Sequence, residues 1–184
     1  MNRRPFLAAS AALALNLGSA IRPAAAALKA GDKAPDFTLD AALAGKAFRF
    51  SLRDALKQGP VVLYFFPAAF TSGCTLEAHL FAEATPQFKQ QGASVIGVSH
   101  NDLETMKRFS VSECRNQFAV GADVDRRVSQ AYDVVGKRNP AYVDRSSYLI
   151  VPDGTVAFHY SDSNPEQHVS QAMGALKAWL ARKP

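Results

Sequence analysis

The sequence predicts an α/β fold, a central mixed β-sheet with helices on both faces. Three observations point there. Short apolar runs rich in β-formers, at residues 61–66, 93–99 and 146–151, read as buried strands. Longer stretches with helical periodicity separate them. Near the end, Pro152-Asp153-Gly154 marks a hairpin turn between two strand-like runs, and a last helical pattern follows. At 184 residues, 48% hydrophobic and 20% charged, the chain suits one domain plus a short extra segment. Two cysteines cannot build a disulfide framework, so the fold must rest on its core.

The extra segment comes first. Asn2-Arg3-Arg4-Pro5 is basic, residues 6–20 are uncharged and rich in alanine and leucine, and Pro23-Ala24-Ala25-Ala26-Ala27 offers small-residue cleavage sites. Residues 1–27 read as a signal peptide, too short and too poor in bulky side chains for a membrane span, leaving residues 28–184 as the domain. Arg3-Arg4-Pro5-Phe6-Leu7 resembles the twin-arginine export motif, with a Sec leader as the alternative. Either route predicts a periplasmic protein. Removing Arg3, Arg4 and Arg22 leaves 18 of the 21 basic residues against 16 acidic ones, a net +2 instead of +5. So balanced a surface gives no case for nucleic-acid or anionic-membrane binding.

The domain opens with turns at Gly31 and Pro35 and alternation at Phe37 and Leu39, a short strand, with residues 45–50 as a return arm. Ser51 caps a short helix over residues 52–57, ended by Gly59-Pro60. After the strand at 61–66, a helix runs over 74–91, with Leu76, Leu80, Ala84 and Phe88 as a core stripe and Phe81 alongside. Pro86 should kink this helix or restart it with Thr85 as cap. Residues 93–99 form the next strand. Asn101 or Asp102 caps a helix reaching about residue 114, then come a short strand at 118–120 and a short helix at 124–132. Residues 146–151 and 156–159 make the hairpin. The terminal helix, 165–181, turns Val169, Met173, Leu176 and Leu180 inward, with Trp179 on its flank.

The chemistry concentrates where the 61–66 strand hands over to the long helix. Pro67 ends the strand, because it has no N–H for a central ladder. Cys74 then falls in the first turn of the helix, where unpaired N–H groups and the positive end of the dipole favour a thiolate over a thiol. Thr71 can hydrogen-bond whatever lies against the sulfur, and Glu77 follows one turn along the same face.

The run Phe66-Pro67…Thr71-Ser72-Gly73-Cys74-Thr75-Leu76-Glu77-Ala78 holds the pattern Pro-x-x-x-Thr-x-x-Cys. It resembles the active-site signature of the peroxiredoxins, within the alkyl hydroperoxide reductase/thiol-specific antioxidant superfamily, and most of all the bacterioferritin-comigratory (Q-type) subfamily. The opening Gly31-x-x-Ala34-Pro35-x-Phe37-x-Leu39 is similar to peroxiredoxin N-termini. The resemblance implies a thioredoxin-like fold from about residue 28 to the end. It implies a peroxidase that reduces hydrogen peroxide and organic hydroperoxides through a cysteine sulfenic acid, recycled by a thioredoxin-like reductant.

The same resemblance assigns roles. Cys74 is the attacking sulfur. Arg145, in Arg145-Ser146-Ser147-Tyr148-Leu149-Ile150-Val151-Pro152-Asp153-Gly154, matches the segment that supplies the active-site arginine, which would hold the thiolate and donate to peroxide oxygens. Thr71 would bond the attacked oxygen and Pro67 would wall the pocket. Glu77 orients the arginine or is an exposed first-turn carboxylate. Some relatives carry a second cysteine five residues after the first, where this chain has His79. Cys114 is then a resolving thiol or a buried structural one. No cofactor and no metal is expected, since His79, His100, His159 and His168 lack ligand spacing. Q-type relatives imply a monomer or weak dimer. A thiol–disulfide oxidoreductase would need a cysteine at position 71, and a copper-binding thioredoxin-like protein two close cysteines with a histidine.

Overall fold

The computed structural model describes residues 28–136 and 139–182, so the signal peptide expected at 1–27 lies outside the described residues. The chain opens with β1 (Thr38–Leu43) and β2 (Lys46–Ser51), an antiparallel hairpin. Its two-residue turn places Ala44 and Gly45 at φ 50° and 74°, matching the twist of paired strands. Ser51 caps α1 (Leu52–Leu56), its hydroxyl accepting from Asp54 N at 3.2 Å. Then follow β3 (Val61–Phe65), α2 (Ser72–Gln90), β4 (Ser94–Ser99) and α3 (Leu103–Ser112). The chain continues with β5 (Ala119–Ala122), α4 (Arg127–Ala131), β6 (Ser146–Ile150) and β7 (Val156–Ser161). A 3-10 turn, Pro165–Gln167, leads into α5 (His168–Leu180).

The seven strands form one mixed sheet in the order β2-β1-β5-β4-β3-β6-β7. β3, β4 and β5 run parallel, while β1 and β6 flank them antiparallel. β3 is buried along its whole length, as its unbroken apolar run requires. Alternation splits its side chains between two cores. Val62 and Tyr64 face α2, α3 and α5; Val61, Leu63 and Phe65 face α1 and α4. Removing each of these side chains from water contributes about 1.5–3 kcal/mol.

Three expectations need correction. Leu76 is 40% exposed, and Leu80 and Ala84 are only half-buried. The inward stripe of α2 is instead Cys74, Glu77, Ala78, Phe81, Ala82, Thr85 and Phe88. The helix is turned by its aromatics: Phe81 stacks on Tyr64 with centroids 4.3 Å apart, over a floor opened by Gly97, where a Cβ would stand 2.6 Å from the tyrosine ring. α2 does not restart at Pro86 but runs through it, and Thr85 donates its hydroxyl to Phe81 O at 2.7 Å rather than capping. The short helix expected at 124–132 begins later, at Arg127, where buried Asp123 accepts from the N–H groups of Val128 (3.1 Å) and Ser129 (2.7 Å).

Candidate active site

The site lies where the carboxyl end of β3 meets the amino end of β6. These strands are antiparallel neighbours with Phe65 opposite Ser146, so the residues just past β3 and just before β6 fall side by side. Phe66 extends the ladder by one bond, donating its N–H to Val98 O at 3.1 Å, and half-buried Pro67 ends it. The loop that follows is anchored by Asn101, whose Oδ1 accepts from Ala69 N (2.9 Å) and Ser99 Oγ (3.0 Å). Of the two caps proposed for α3, Asp102 takes that role, accepting from Thr105 N at 2.7 Å, which frees Asn101 for the loop.

Thr71 is the N-cap residue of α2, but its side chain makes no capping bond. Its hydroxyl donates to Ala68 O at 3.0 Å and is exposed, while its carbonyl accepts from Thr75 N at 2.8 Å. Cys74 is the third helical residue and is 2% exposed. The first-turn N–H groups therefore carry no side-chain cap beside this sulfur.

Arg145 brings the charge. Its side chain is buried and forks three ways. Nη2 donates to Cys74 Sγ at 3.5 Å, Nη1 donates to Glu77 Oε2, and Nε donates to Ser163 O at 3.2 Å. A planar fork with fixed donor directions suits this task better than an ammonium. Gly73 makes room, for a Cβ there would stand 3.3 Å from Nη2. Burial works against the guanidinium's charge, but Glu77 and the Cys74 sulfur outweigh it and hold the group firmly protonated.

Glu77 is fully buried, which excludes the exposed first-turn reading. Burial pushes its carboxyl above the ordinary carboxylate range, and Arg145 pulls against that shift. Its Oε1 has no hydrogen-bond partner and lies 3.7 Å from Nδ1 of His168. His168, also fully buried, meets Ser147 Oγ through Nδ1 (2.8 Å) and Asp162 O through Nε2 (2.9 Å). Sequence reasoning set this histidine aside for want of ligand spacing, yet it lies against the arginine's partner. The signal was its spacing: His168, Ala172 and Leu176 recur every four residues on the buried face of α5.

Cys114 is buried and free, as is Cys74, so the two are not bonded to each other in this structure. Burial, with Glu113's charge adding, pushes the Cys114 thiol well up. It lies just past α3, followed by two left-handed residues, Arg115 (φ 49°) and Asn116 (φ 59°). This segment is tied to α2: His79 Nε2 lies 2.9 Å from Glu113 Oε2, Arg115 Nη1 donates to Glu83 at 3.1 Å, and Lys89 Nζ donates to Gln117 O at 3.0 Å. Of the other histidines, His100 packs edge-on against Tyr142, and His159 stacks on Tyr148. Among the described residues no group of three or more His, Cys, Asp or Glu side chains is placed to hold a metal ion.

The AhpC/TSA family profile matches residues 30–159. The chain is 36% identical over 149 residues to peroxiredoxin Q, chloroplastic, of Arabidopsis thaliana, covering 80% of this chain and 67% of that one. It is 30% identical over 154 residues to a peroxiredoxin bcp of Helicobacter pylori, covering 81% and 98%. It spans about two thirds of the length of the chloroplastic relatives. Among solved structures, peroxidoxin BcpB from Mycobacterium tuberculosis superposes with a TM-score of 0.74 at 29% identity, covering 82% of this chain and 97% of that one.

Proposed function

The chain belongs to the AhpC/TSA family, and from that premise we propose that it is a thiol-dependent peroxidase acting on hydroperoxides through Cys74. The observation that carries this reading is the Arg145 guanidinium donating at once to the Cys74 sulfur and to Glu77 at the amino end of α2. A positive group and open helix N–H donors around a sulfur stabilise its anion, and the thiolate is the nucleophile. It attacks the nearer peroxide oxygen. An S–O bond forms, the O–O bond breaks, and the electron pair leaves on the departing oxygen, which takes a proton to become water or an alcohol. The sulfur is left as a sulfenic acid.

Arg145 serves this displacement by donating to the peroxide oxygens as negative charge moves from sulfur to the leaving oxygen. The exposed Thr71 hydroxyl, now on Ala68 O, turns to the attacked oxygen when substrate enters. Pro67 walls the pocket and adds no competing N–H. Glu77 fixes the guanidinium from behind.

In the resolving step, the Cys114 thiol displaces water from the Cys74 sulfenic acid to give a disulfide, which a thioredoxin-like dithiol reduces. Both thiols are buried and unbonded here, and a disulfide needs Cα atoms within about 7 Å, so where the reduced form holds them farther apart the step takes local unwinding around Cys74 or Cys114. The leader read in residues 1–27 supports a periplasmic location, and the unit acts as a monomer or weak dimer. The test is peroxide consumption with a dithiol reductant: the intact chain turns over and Cys74→Ser does not. A Cys74→Ser variant with full activity would end this reading.

A further inference from the structure

Apolar surface is left uncovered beside both thiols. Phe70 and Leu76 bracket Cys74 in the chain, Val111 comes shortly before Cys114, and all three are exposed. Single exposed hydrophobic side chains need no explanation, but Phe70 and Val111, each 47% exposed, line one groove of about 690 Å³. Gly45 of the β1–β2 turn and Glu104, Lys107 and Arg108 of α3 complete its walls. The turn is tied to α3, with Gly45 N donating to Ser110 Oγ at 3.0 Å. Gly45 also leaves room beside Val111, where a Cβ would stand 3.1 Å from Cγ2.

Phe70 is held outward against its own preferences. Its φ of 66° is a left-handed conformation that a bulky side chain rarely adopts, and such strain gathers at functional loops. Its ring meets Phe109 nearly at a right angle, with centroids 5.2 Å apart, and the rest is left to solvent. Charge at the rim is unbalanced. Glu104 takes up Lys107 at 3.1 Å, while Arg108 donates to the Thr105 hydroxyl at 3.4 Å and forms no ion pair among the described residues, with Asp102 acting on it from farther off.

We propose that this groove is the docking surface for the protein dithiol that reduces the Cys74–Cys114 disulfide, with Phe70 and Val111 as apolar anchors and Arg108 meeting a carboxylate of the partner. The proposal rests on the peroxidase reading and on Cys114 as its resolving thiol. A hydroperoxide has to reach Cys74 alone. A reductant must work where the segments of both cysteines come together, and those segments border the groove. The shape agrees, for the groove lies open to solvent, whereas a small-molecule pocket encloses most of its ligand. Exchange needs sulfur against sulfur, so two folded surfaces must press closely together. The partner's first thiolate bonds to the Cys114 sulfur as the disulfide breaks, and Cys74 leaves as the thiolate that Arg145 stabilises. The partner's second thiolate then attacks the mixed disulfide. Cys114 leaves and takes a proton, and the partner departs as a disulfide, having given up two electrons.

The test compares two reductants while the full chain consumes hydrogen peroxide. One is a bacterial thioredoxin kept reduced by its reductase and NADPH; the other is dithiothreitol, which needs no docking surface. Phe70→Ser, Val111→Ser and Arg108→Glu should each raise the KM for thioredoxin, about fivefold or more for the aromatic anchor. Turnover with dithiothreitol and the rate of Cys74 oxidation should not change. The wild-type KM should rise with salt, and that of Arg108→Glu should not. Variants that keep the wild-type KM for thioredoxin overturn the proposal, as does a wild type served by dithiothreitol but not by thioredoxin. An equal loss with dithiothreitol would place these residues in the peroxide chemistry and overturn it too. So would either other occupant: a hydroperoxide tail, seen as a raised KM for cumene hydroperoxide with that for thioredoxin unmoved, or a second copy, seen as a dimeric wild type and a monomeric Phe70→Ser by sedimentation. A wild type that consumes no peroxide with either reductant would end the peroxidase reading itself.

Discussion

Gly73→Ala separates the stability of α2 from the reactivity of the sulfur one residue on. The new Cβ would stand 3.3 Å from Arg145 Nη2, inside the roughly 3.5–4.0 Å of an ordinary contact. The guanidinium must retreat by a few tenths of an ångström, and Nη2 already lies 3.5 Å from Cys74 Sγ. A hydrogen bond to a charged group contributes about 1.5–3 kcal/mol, so weakening it by half costs about 1 kcal/mol. That is a fivefold loss of rate, near enough. Meanwhile alanine replaces glycine in a helix, a gain of up to about 1 kcal/mol, or about 2–4 °C in a chain of this size. Rates are read by competition with a haem peroxidase for hydrogen peroxide, and stability by thermal unfolding. Slower reaction in a protein no less stable is expected, with Gly73→Val slower still. Wild-type rates in both variants would show that the guanidinium's position does not control the sulfur.

Arg145→Lys keeps the charge but cannot span Cys74, Glu77 and Ser163 O with one ammonium, so peroxide reactivity should fall at least about tenfold, measured by the same competition. His79→Ala combined with Arg115→Ala removes two ties on the Cys114 segment, each worth about 0.2–1 kcal/mol. Labelling of Cys114 by a thiol reagent in the reduced, native protein should quicken severalfold; unchanged labelling would show that other contacts hold the segment. Stability should also follow the Glu77–His168 pair. The ordinary values of 4.5 and 6.5 become about 8 and about 4 on folding. Between pH 6.5 and 8 the folded pair holds a proton that the unfolded chain has released, so stability falls as pH rises. Between pH 4.5 and about 4 the unfolded chain holds two protons against one, so stability falls as pH drops, and below about 4 the slope vanishes. Between pH 4.5 and 6.5 the pair contributes no slope. Denaturant midpoints should show both edges, and Glu77→Gln should lose the alkaline one.

The strands were legible because β3, β4 and β6 are apolar on both faces, and no surface element needs such a run. Cys74 was legible from its place between a buried strand and a helix, Arg145 through the family resemblance of its segment, and Glu77 only as one of two readings. The rotation of α2 was not. Leu76 and Leu80 look more like core residues than Cys74 and Glu77, and only the stacking of Phe81 on Tyr64 decides which side faces in. A buried glutamate on an inward stripe runs against hydrophobic periodicity, and the Arg145 that meets it there comes from 68 residues away. Asn101 and His168 escaped for a related reason: their partners are Ala69 N and Glu77, which the sheet brings close and the sequence keeps far apart.

The pairing of β3 with β6 carries a consequence for how this centre tolerates change. Phe65 opposite Ser146 is a ladder pair in the middle of the sheet, locked on each side by further strands. Strands advance about 3.4 Å per residue, so a slip of two positions would part the guanidinium from the sulfur by roughly 7 Å, and a slip of one would turn every β6 side chain over. The reach between the two reactive ends is thus gauged by backbone deep inside the molecule. Loops that hold none of the site's residues are free to drift in sequence, while a shift of this register puts the chemistry out of alignment.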